Sequence, residues 1–315
     1  MKTVTEIVNC NGLPNGVRAY GGHDGPKRSV IYKGALWLLK YPKRLAFEYF
    51  YSTSPLSEYI GSHIYRILGY NVHETILGVE GHRCVVLCKD FRPKNEEYYD
   101  FSQMLSLSLG MEVDRQMMEE AGGITGPNRK GLNLKRIVFT LDNNPYLPKG
   151  SKERFWDMFV IDGLIGNANR HNEDWGFLGD LAHLQLSPVF DNGSSFLPLA
   201  SDVEIEQILQ DDNTFSKLIC KGDTPYWVRN KKVDWFSAIK NADLPFGEIN
   251  TVPLRKAIER NVPIMQSKLP EIFQMIDNIP EYTISNGKRV SIMTNARKEV
   301  YKRLLSIRLK EALNG

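Results

Sequence analysis

The chain has 315 residues, of which 42% are hydrophobic and 10% aromatic, and this composition excludes both wholesale disorder and a small scaffold held together by disulfides. Its 40 basic and 37 acidic side chains leave a net charge of only +3, so the overall charge gives no reason to expect direct nucleic-acid binding. The four cysteines are scattered, and neither an apolar signal core nor a membrane span is visible. We therefore expect a cytoplasmic protein without membrane association, and secretion by a route without a signal peptide stays open.

The N-terminal third is predicted to be rich in β-strands. Two β-rich runs, Ser29–Tyr32 and Ala35–Lys40, flank Lys33-Gly34, a two-residue link that favours a tight hairpin. This hairpin places a lysine at the end of a strand. A second hairpin is predicted from the runs Glu74–Val79 and Arg83–Phe91, which are separated by a short turn.

One helix is predicted between the two hairpins. It begins at Ser54-Pro55, where serine is the expected N-cap and proline the first helical residue, and it ends at Gly69. Apolar residues recur at helical spacing in between, and Glu58 falls in the first turn. Residues 1–91 are thus expected to form a small β-rich N-lobe.

Residues 92–315 are expected to form a larger, mainly helical C-lobe, which gives a bilobal α+β fold. A helix is predicted over Glu153–Ile165, and because its apolar face also carries Asp162, this carboxylate should have a buried hydrogen-bond partner. A short hairpin formed by Asp174–Leu178 and Leu184–Phe190 is predicted to follow.

Residues 288–315 carry eight basic side chains against two acidic ones. Their apolar residues lie near helical spacing, so we predict a terminal helix that is docked by one face and solvated on the other. A site for an acidic surface or for nucleic acid is the alternative.

Several polar features occur in the order that phosphoryl transfer from ATP requires. They are a glycine-rich turn with Gly21, Gly22 and Gly25, the strand-end Lys40, the helical Glu58, and polar clusters at 166–177 and 190–195. The reaction uses backbone amides over the phosphates, a lysine held by a helix carboxylate, and carboxylate and amide groups that bind metal. Each feature alone is ordinary, because a strand-end lysine is usually solvated and an Asp-Asn-Gly run is usually a turn. Their joint order favours a kinase.

Six stretches also match a known family. They are Trp37–Pro42, Leu56–Gly69, Cys88–Phe91, Phe155–Phe159, Gly166–Phe177 and Pro188–Gly193. Through these stretches the chain resembles the HipA-like serine/threonine kinases, in particular the smaller members of that family. The resemblance implies a protein-kinase-like fold that binds ATP and Mg²⁺. It further implies that Lys40 pairs with Glu58, that Asp191 binds magnesium, and that Cys88 and Asp90 belong to a hinge beside the nucleotide.

The stretch Gly166–Phe177 departs from the family pattern G-N-x-D-R-H-x-x-N-W-G-F. Asn169 stands where the family has its general-base aspartate, and Asp174 stands where it has a metal-binding asparagine. Since an amide cannot take the proton of the substrate hydroxyl, Asn169 should remove a contribution of roughly 10²–10⁴ in rate. Asp174 remains a competent oxygen ligand for Mg²⁺, and Asn169 can still orient a hydroxyl.

Two neighbours of Asn169 carry further expectations. His171 is expected to brace the loop, with proton transfer as the alternative. Arg170 is expected either to bridge to the segment after Asp191 or to be solvated.

We therefore expect a serine/threonine kinase that transfers the γ-phosphoryl group of ATP to a protein hydroxyl, weakened by Asn169. The family often acts as a toxin paired with a DNA-binding antitoxin, so an antitoxin partner is implied by the resemblance alone. The alternatives are a nucleotide-binding pseudokinase that serves as an interaction module and a lipid kinase whose basic C-terminal helix approaches anionic head groups. The exchange itself fits a natural variant that still works, a pseudokinase, or a sequence altered to silence a toxic enzyme. No oligomeric state is indicated.

Overall fold

The computed structural model describes residues 4–20, 25–45, 50–108, 132–229, 231–241 and 249–314. The helices are α1 (Ser54–Ile67), α2 (Phe101–Ser108), α3 (Leu134–Asn143), α4 (Ser151–Ile165), α5 (Asp202–Gln210), α6 (Asp212–Ile219), α7 (Trp235–Asn241), α8 (Val252–Asp277) and α9 (Asn295–Leu313). The strands are β1 (Val8–Asn9), β2 (Lys27–Tyr32), β3 (Ala35–Lys40), β4 (Thr75–Glu80), β5 (Arg83–Lys89), β6 (Tyr98–Asp100), β7 (Gly176–Leu178), β8 (Gln185–Leu186), β9 (Asp223–Val228), β10 (Lys231–Asp234), β11 (Tyr282–Ser285) and β12 (Lys288–Ser291). The fold is α+β, as the sequence predicts.

The chain divides into two compact units. The first contains Met1–Phe91, Val189–Ile219 and Met265–Ile307, and the second contains Arg92–Pro188, Cys220–Ile264 and Arg308–Gly315. The first unit thus begins with the residues of the predicted N-lobe and adds two later segments to them. The division into lobes at 1–91 and 92–315 stays a prediction.

A five-stranded sheet in the order β1-β4-β5-β3-β2 forms the base of the first unit. Its neighbours are antiparallel except for β1, which pairs with β4 in parallel. Both predicted hairpins are confirmed. Lys33 and Gly34 both have positive φ, as a tight two-residue turn requires, and Lys40 is the last residue of β3.

Helix α1 lies against β4 and β5. The prediction that Ser54 is its N-cap is wrong, because the N–H of Ser57 already bonds to the carbonyl of Thr53 and the helix begins one residue earlier. The Ser54 hydroxyl instead lies 2.9 Å from that of Ser52. Glu58 consequently lies in the second turn rather than the first. The helix stops before Gly69, whose φ of +90° is left-handed, as predicted.

In the second unit, α4 extends the predicted helix by two residues at its start. It ends at Gly166, whose left-handed backbone lets the N–H of Asn167 turn back to the carbonyl of Asp162 at 2.7 Å. The predicted hairpin is present in shorter form as β7 and β8, and β6, which was not predicted, pairs with β7.

The prediction of a single helix over residues 288–315 is wrong, because Lys288–Ser291 is strand β12 and the helix α9 begins at Asn295. The basic side chains are also not uniformly solvated, since Arg297, Lys298 and Arg308 are buried. Among the described helices, none combines the length and hydrophobicity that crossing a membrane requires.

Candidate active site

Three side chains from distant parts of the chain meet in the first unit. Lys40 Nζ lies 2.7 Å from Glu58 Oε2 and 2.8 Å from Asp191 Oδ1. Lys40 closes β3, Glu58 lies on α1, and Asp191 comes 151 residues after Lys40. The pairing of Lys40 with Glu58 that the resemblance implies is therefore present, and Asp191 joins it.

The charges of this group stabilise one another. Burial would lower the pKa of Lys40, but the carboxylates of Asp191 and Glu58 outweigh it and hold this pKa well above its ordinary value. Burial would likewise raise the pKa of Glu58, yet the charge of Lys40 and a hydrogen bond from His73 hold it below its ordinary value. Lys40 and Glu58 are therefore both ionised at neutral pH.

The second oxygen of Glu58 is held by a separate set of donors. Glu58 Oε1 lies 3.0 Å from His73 Nε2 and accepts the backbone N–H of Asn192 at 3.0 Å. Ser62 Oγ lies 3.0 Å from His73 Nε2 and accepts a hydrogen bond from the side-chain amide nitrogen of Asn192 at 3.0 Å. Both oxygens of this fully buried carboxylate are thus hydrogen-bonded, as a buried charge requires.

The backbone that presents Asp191 is held by hydrogen bonds on its N-terminal side. Asp191 has a left-handed φ of +59°, which costs a non-glycine residue about 1–2 kcal/mol. Just before it, the N–H of Val189 bonds to the carbonyl of Asn71, and the N–H of His73 bonds to the carbonyl of Val189. The neighbouring segment therefore holds Asp191 in a conformation that the free chain avoids.

In the second unit, Arg170 is paired with Asp162. Arg170 Nε and Nη2 donate to the two carboxylate oxygens at 2.9 and 3.0 Å, and the arginine side chain is only 1% exposed. The prediction that Asp162 has a buried partner is confirmed. The alternative that Arg170 is solvated is wrong, because the pair lies inside the unit. A bridge from Arg170 to the segment after Asp191 stays a prediction.

The loop that follows contains the exchanged pair of residues. Asp174 Oδ2 accepts the backbone N–H of His171 at 2.7 Å, and the N–H of Asp174 bonds back to the carbonyl of His171 at 3.1 Å. His171 Nε2 lies 2.7 Å from Asn169 Oδ1. This contact fits the expected bracing role of His171, because the imidazole orients the amide of Asn169.

Two of the three glycines assigned to the phosphate turn, Gly21 and Gly22, lie outside the described residues. Gly25 is described and has a φ of +84°, and a Cβ there would come 3.0 Å from Lys43 Cγ. A residue with a side chain would therefore be strained at this position.

The two residues that the resemblance assigns to a hinge differ in what they contact. Asp90 follows β5, and its Oδ2 accepts from the hydroxyl of Tyr20 and from Arg18 Nη1, both at 2.8 Å. It thereby anchors two side chains just before the predicted glycine-rich turn. Cys88 is buried on β5, and burial, with the charge of Glu58, raises the pKa of its thiol well above the ordinary value.

Cys88 also lies beside the network around Glu58. One donor atom each from Glu58, His73 and Cys88 lies within 4.8 Å of the others. Because the thiol stays protonated and Glu58 is already paired with Lys40, we interpret Cys88 as a packing thiol.

The predicted residues thus fall into two groups. The first unit brings Lys40, Glu58 and Asp191 into contact, and the second unit holds Asn169, His171 and Asp174 in one loop. Sequence reasoning missed His73, since no spacing or neighbouring pattern points to it. Ser62 and Asn192 did stand in matched stretches, but no role was assigned to them.

Comparison with known proteins finds relatives with this architecture. The serine/threonine-protein kinase CtkA of Helicobacter pylori is 30% identical over 296 residues, which cover 90% of this chain and 82% of CtkA. The crystal structure of CtkA matches with a TM-score of 0.78 at 27% identity, covering 98% of this chain and 97% of the solved one. A chain of the Shewanella oneidensis toxin–antitoxin complex of HipA, HipB and operator DNA matches with a TM-score of 0.58 at 16% identity, covering 96% of this chain and 66% of that one. No family model matches the sequence.

The likeness to CtkA extends over nearly the whole chain and decides the family. The chain belongs to the HipA-like serine/threonine kinases. Its fold is protein-kinase-like, as in CtkA and HipA. Membership identifies it as a serine/threonine kinase and favours neither the pseudokinase nor the lipid kinase.

The contacts of the basic C-terminal residues agree with this choice. In this HipA-like kinase, Arg297 pairs with Asp202, Lys302 with Asp277 and Arg303 with Asp212. The lipid-kinase alternative needs these cations to bind anionic head groups. Each of them instead forms an ion pair within the first unit.

Proposed function

We propose that this HipA-like kinase transfers the γ-phosphoryl group of ATP to a serine or threonine hydroxyl of a protein, with Mg²⁺ as its metal ion. The observation that carries the proposal is the contact of Lys40 with both Glu58 and Asp191. Protein kinases need a strand lysine paired with a helix carboxylate and an aspartate that binds magnesium. The family of the chain supports the same reaction.

We assign to Lys40 the binding of the α- and β-phosphates. Its ammonium is kept charged by two carboxylates, and its position is fixed by Glu58, which is wholly buried. A preorganised charge of this kind stabilises the transferring group without reorganisation during the reaction.

We propose that the carboxylates of Asp191 and Asp174 are the magnesium ligands, as the family implies. Asp191 and Asp174 offer carboxylate oxygens, which Mg²⁺ prefers, and the Asp191 side chain is 22% exposed. When bound, Mg²⁺ would supply positive charge that neutralises the phosphate oxygens. Asp174 adds one negative charge to the ligand set where the family has a neutral asparagine, and this favours metal binding.

We assign to Asn169 the orientation of the substrate hydroxyl, because its amide oxygen accepts a hydrogen bond but cannot remove a proton at neutral pH. His171 braces that amide. Phosphoryl transfer depends chiefly on positioning and charge neutralisation, so we expect weakened rather than abolished activity.

The remaining assignments rest on the family. We propose that the turn with Gly21, Gly22 and Gly25 covers the phosphates and that Cys88 and Asp90 flank the nucleotide. Because HipA was solved with HipB and operator DNA, we also propose a protein partner of the antitoxin type. A cytoplasmic location remains our expectation from the sequence.

A labelled-ATP assay on a generic protein substrate tests the proposal. Asn169→Asp should raise the rate by roughly 10²–10⁴, because it restores a proton acceptor. Asp191→Ala should reduce transfer to background, because it removes both a metal ligand and a partner of Lys40. Asp180→Asn is a matched control, since Asp180 is an exposed aspartate in the turn between β7 and β8 and should leave the rate unchanged.

The outcomes separate the explanations of the exchange. Transfer by the unaltered chain that Asp191→Ala abolishes identifies a natural variant that works. Transfer only after Asn169→Asp identifies a silenced kinase. Nucleotide binding without transfer in either form contradicts the proposed reaction.

A further inference from the structure

Lys40 holds only one of the two oxygens of Glu58, and the other is held by His73 and the backbone of Asn192. We propose that His73 is a positioning residue that fixes the Glu58 carboxylate so that Glu58 can hold Lys40. The inference rests on the proposed function, because it deepens the role of the same site. The inference assigns a role to a residue that lies outside all six stretches that match the family.

The direction of the hydrogen bond follows from the chemistry of its two ends. An ionised carboxylate offers only acceptors, so His73 Nε2 must carry the proton that it shares with Glu58 Oε1. Ser62 Oγ, which also lies 3.0 Å from Nε2, receives a hydrogen bond from the side-chain amide of Asn192. The proton on Nε2 is thus directed at the carboxylate that the imidazole positions.

The backbone of His73 is fixed by the segment that leads to Asp191. Its N–H donates to the carbonyl of Val189 at 3.0 Å, and the N–H of Val189 donates to the carbonyl of Asn71 at 2.9 Å. The ring is buried and has the ring of Phe190 edge-on at 6.4 Å between centroids. His73 therefore connects both carboxylate partners of Lys40, since its side chain holds Glu58 and its backbone holds the approach to Asp191.

Loss of the imidazole donor would leave Glu58 Oε1 with the N–H of Asn192 alone. A buried charge that loses one donor moves toward another, and Glu58 is then no longer fixed opposite Lys40. We expect kcat to fall about ten- to hundredfold, which is the effect of one hydrogen bond to a charged group. The KM for ATP should change less, because a displaced Lys40 fails mainly in the transition state.

Three variants test this role by steady-state kinetics. His73→Leu keeps the bulk and removes the donor, so kcat should fall. His73→Gln keeps an N–H of similar reach and should recover most of the lost rate. His63→Leu is the matched control, because His63 lies on α1 and contacts the carbonyl of Tyr59 rather than Glu58, so it should lower stability but not kcat.

Two results would overturn the inference: a wild-type kcat in folded His73→Leu, or a His73→Gln variant as slow as His73→Leu. If His73→Leu does not fold, His73→Asn replaces it, because the asparagine amide is too short to reach Glu58. The same two results, measured with His73→Asn in place of His73→Leu, would overturn the inference. Crystal structures of the variants keep this test apart from the proposed function. The proposed function fails if the wild type transfers no phosphoryl group. The role of His73 is overturned independently if Glu58 still contacts Lys40 in the crystal structure of His73→Leu.

Discussion

The ion pair of Asp162 and Arg170 shows what a single residue contributes to the second unit. Both side chains are buried, and the pair is bidentate. Two charges removed from water gain little in total, but removal of one partner strands the other. The contribution of the pair to the loop that carries Asn169 is therefore measured best by replacing only one of the two residues.

We accordingly expect Arg170→Met to lower the free energy of unfolding by about 3–5 kcal/mol, since it leaves the Asp162 carboxylate buried without its guanidinium. Arg170→Lys should recover only part of this loss, because an ammonium cannot form the bidentate contact. Urea denaturation measures both. The control is Lys152→Met, which breaks a partly exposed pair with Asp142 and should cost less than about 1 kcal/mol. Equal losses at the two sites would contradict the argument.

The same pair shows what residue-level reasoning can predict. The need of Asp162 for a partner follows from its place on an apolar helix face, and the structure confirms it. The identity of the partner does not follow, because Arg170 reaches Asp162 only after the left-handed turn at Gly166. His73 was missed for a similar reason, since its contact with Glu58 depends on tertiary packing.

At the scale of elements, the C-terminal region shows how a strong pattern hides a weaker one. The helical spacing of the apolar residues suggested one helix that is docked by one face and solvated on the other, yet Asn286 and Gly287 form a two-residue turn with positive φ between β11 and β12. Asn-Gly between β-rich runs is a strong hairpin signal that was present in the sequence. The single buried residue of β12, Val290, agrees with a strand that alternates between its two faces.

Helix α9 offers a test of how much its basic residues stabilise the first unit. Arg297 is buried and donates to the carboxylate of Asp202 and to the carbonyl of Ala200 at 2.8 Å. We expect Arg297→Met to cost about 1–3 kcal/mol, because the carbonyl of Ala200 loses its charged donor.

The control for this prediction lies on the same helix. Arg303 pairs with Asp212, whose side chain is 90% exposed, so Arg303→Met should cost no more than about 1 kcal/mol. Guanidinium denaturation of the two variants gives the comparison. A loss at Arg303 that equals the loss at Arg297 would show that burial does not decide the contribution of these arginines.

For the whole molecule, the sequence predicts what depends on neighbouring residues and misses what depends on distant ones. The β2–β3 and β4–β5 hairpins, and the end of α1 at Gly69, follow from local turn and capping residues. The addition of Val189–Ile219 and Met265–Ile307 to the first unit does not, because only long-range packing joins them. The three-residue strand β6 was missed because so short a run carries no periodicity.

The stability of the whole molecule should also respond to one partly buried histidine that the site does not use. Burial lowers the pKa of His63 to about 4, and the hydrogen bond to the carbonyl of Tyr59 restores only part of this shift. The folded protein therefore keeps His63 neutral down to about pH 4, whereas the unfolded chain protonates it near pH 6.5.

Between these two pH values the unfolded state binds more protons, so stability must fall as the pH falls. For this group alone the loss is about 3 kcal/mol over the window from pH 6.5 to pH 4. His63→Leu removes the titrating group, so its stability deficit relative to the wild type at pH 7 should shrink as the pH is lowered toward 4. Urea midpoints of the two proteins at several pH values measure the difference and cancel the carboxylates that titrate in both. A deficit that stays constant with pH would mean that His63 titrates alike in the folded and unfolded states.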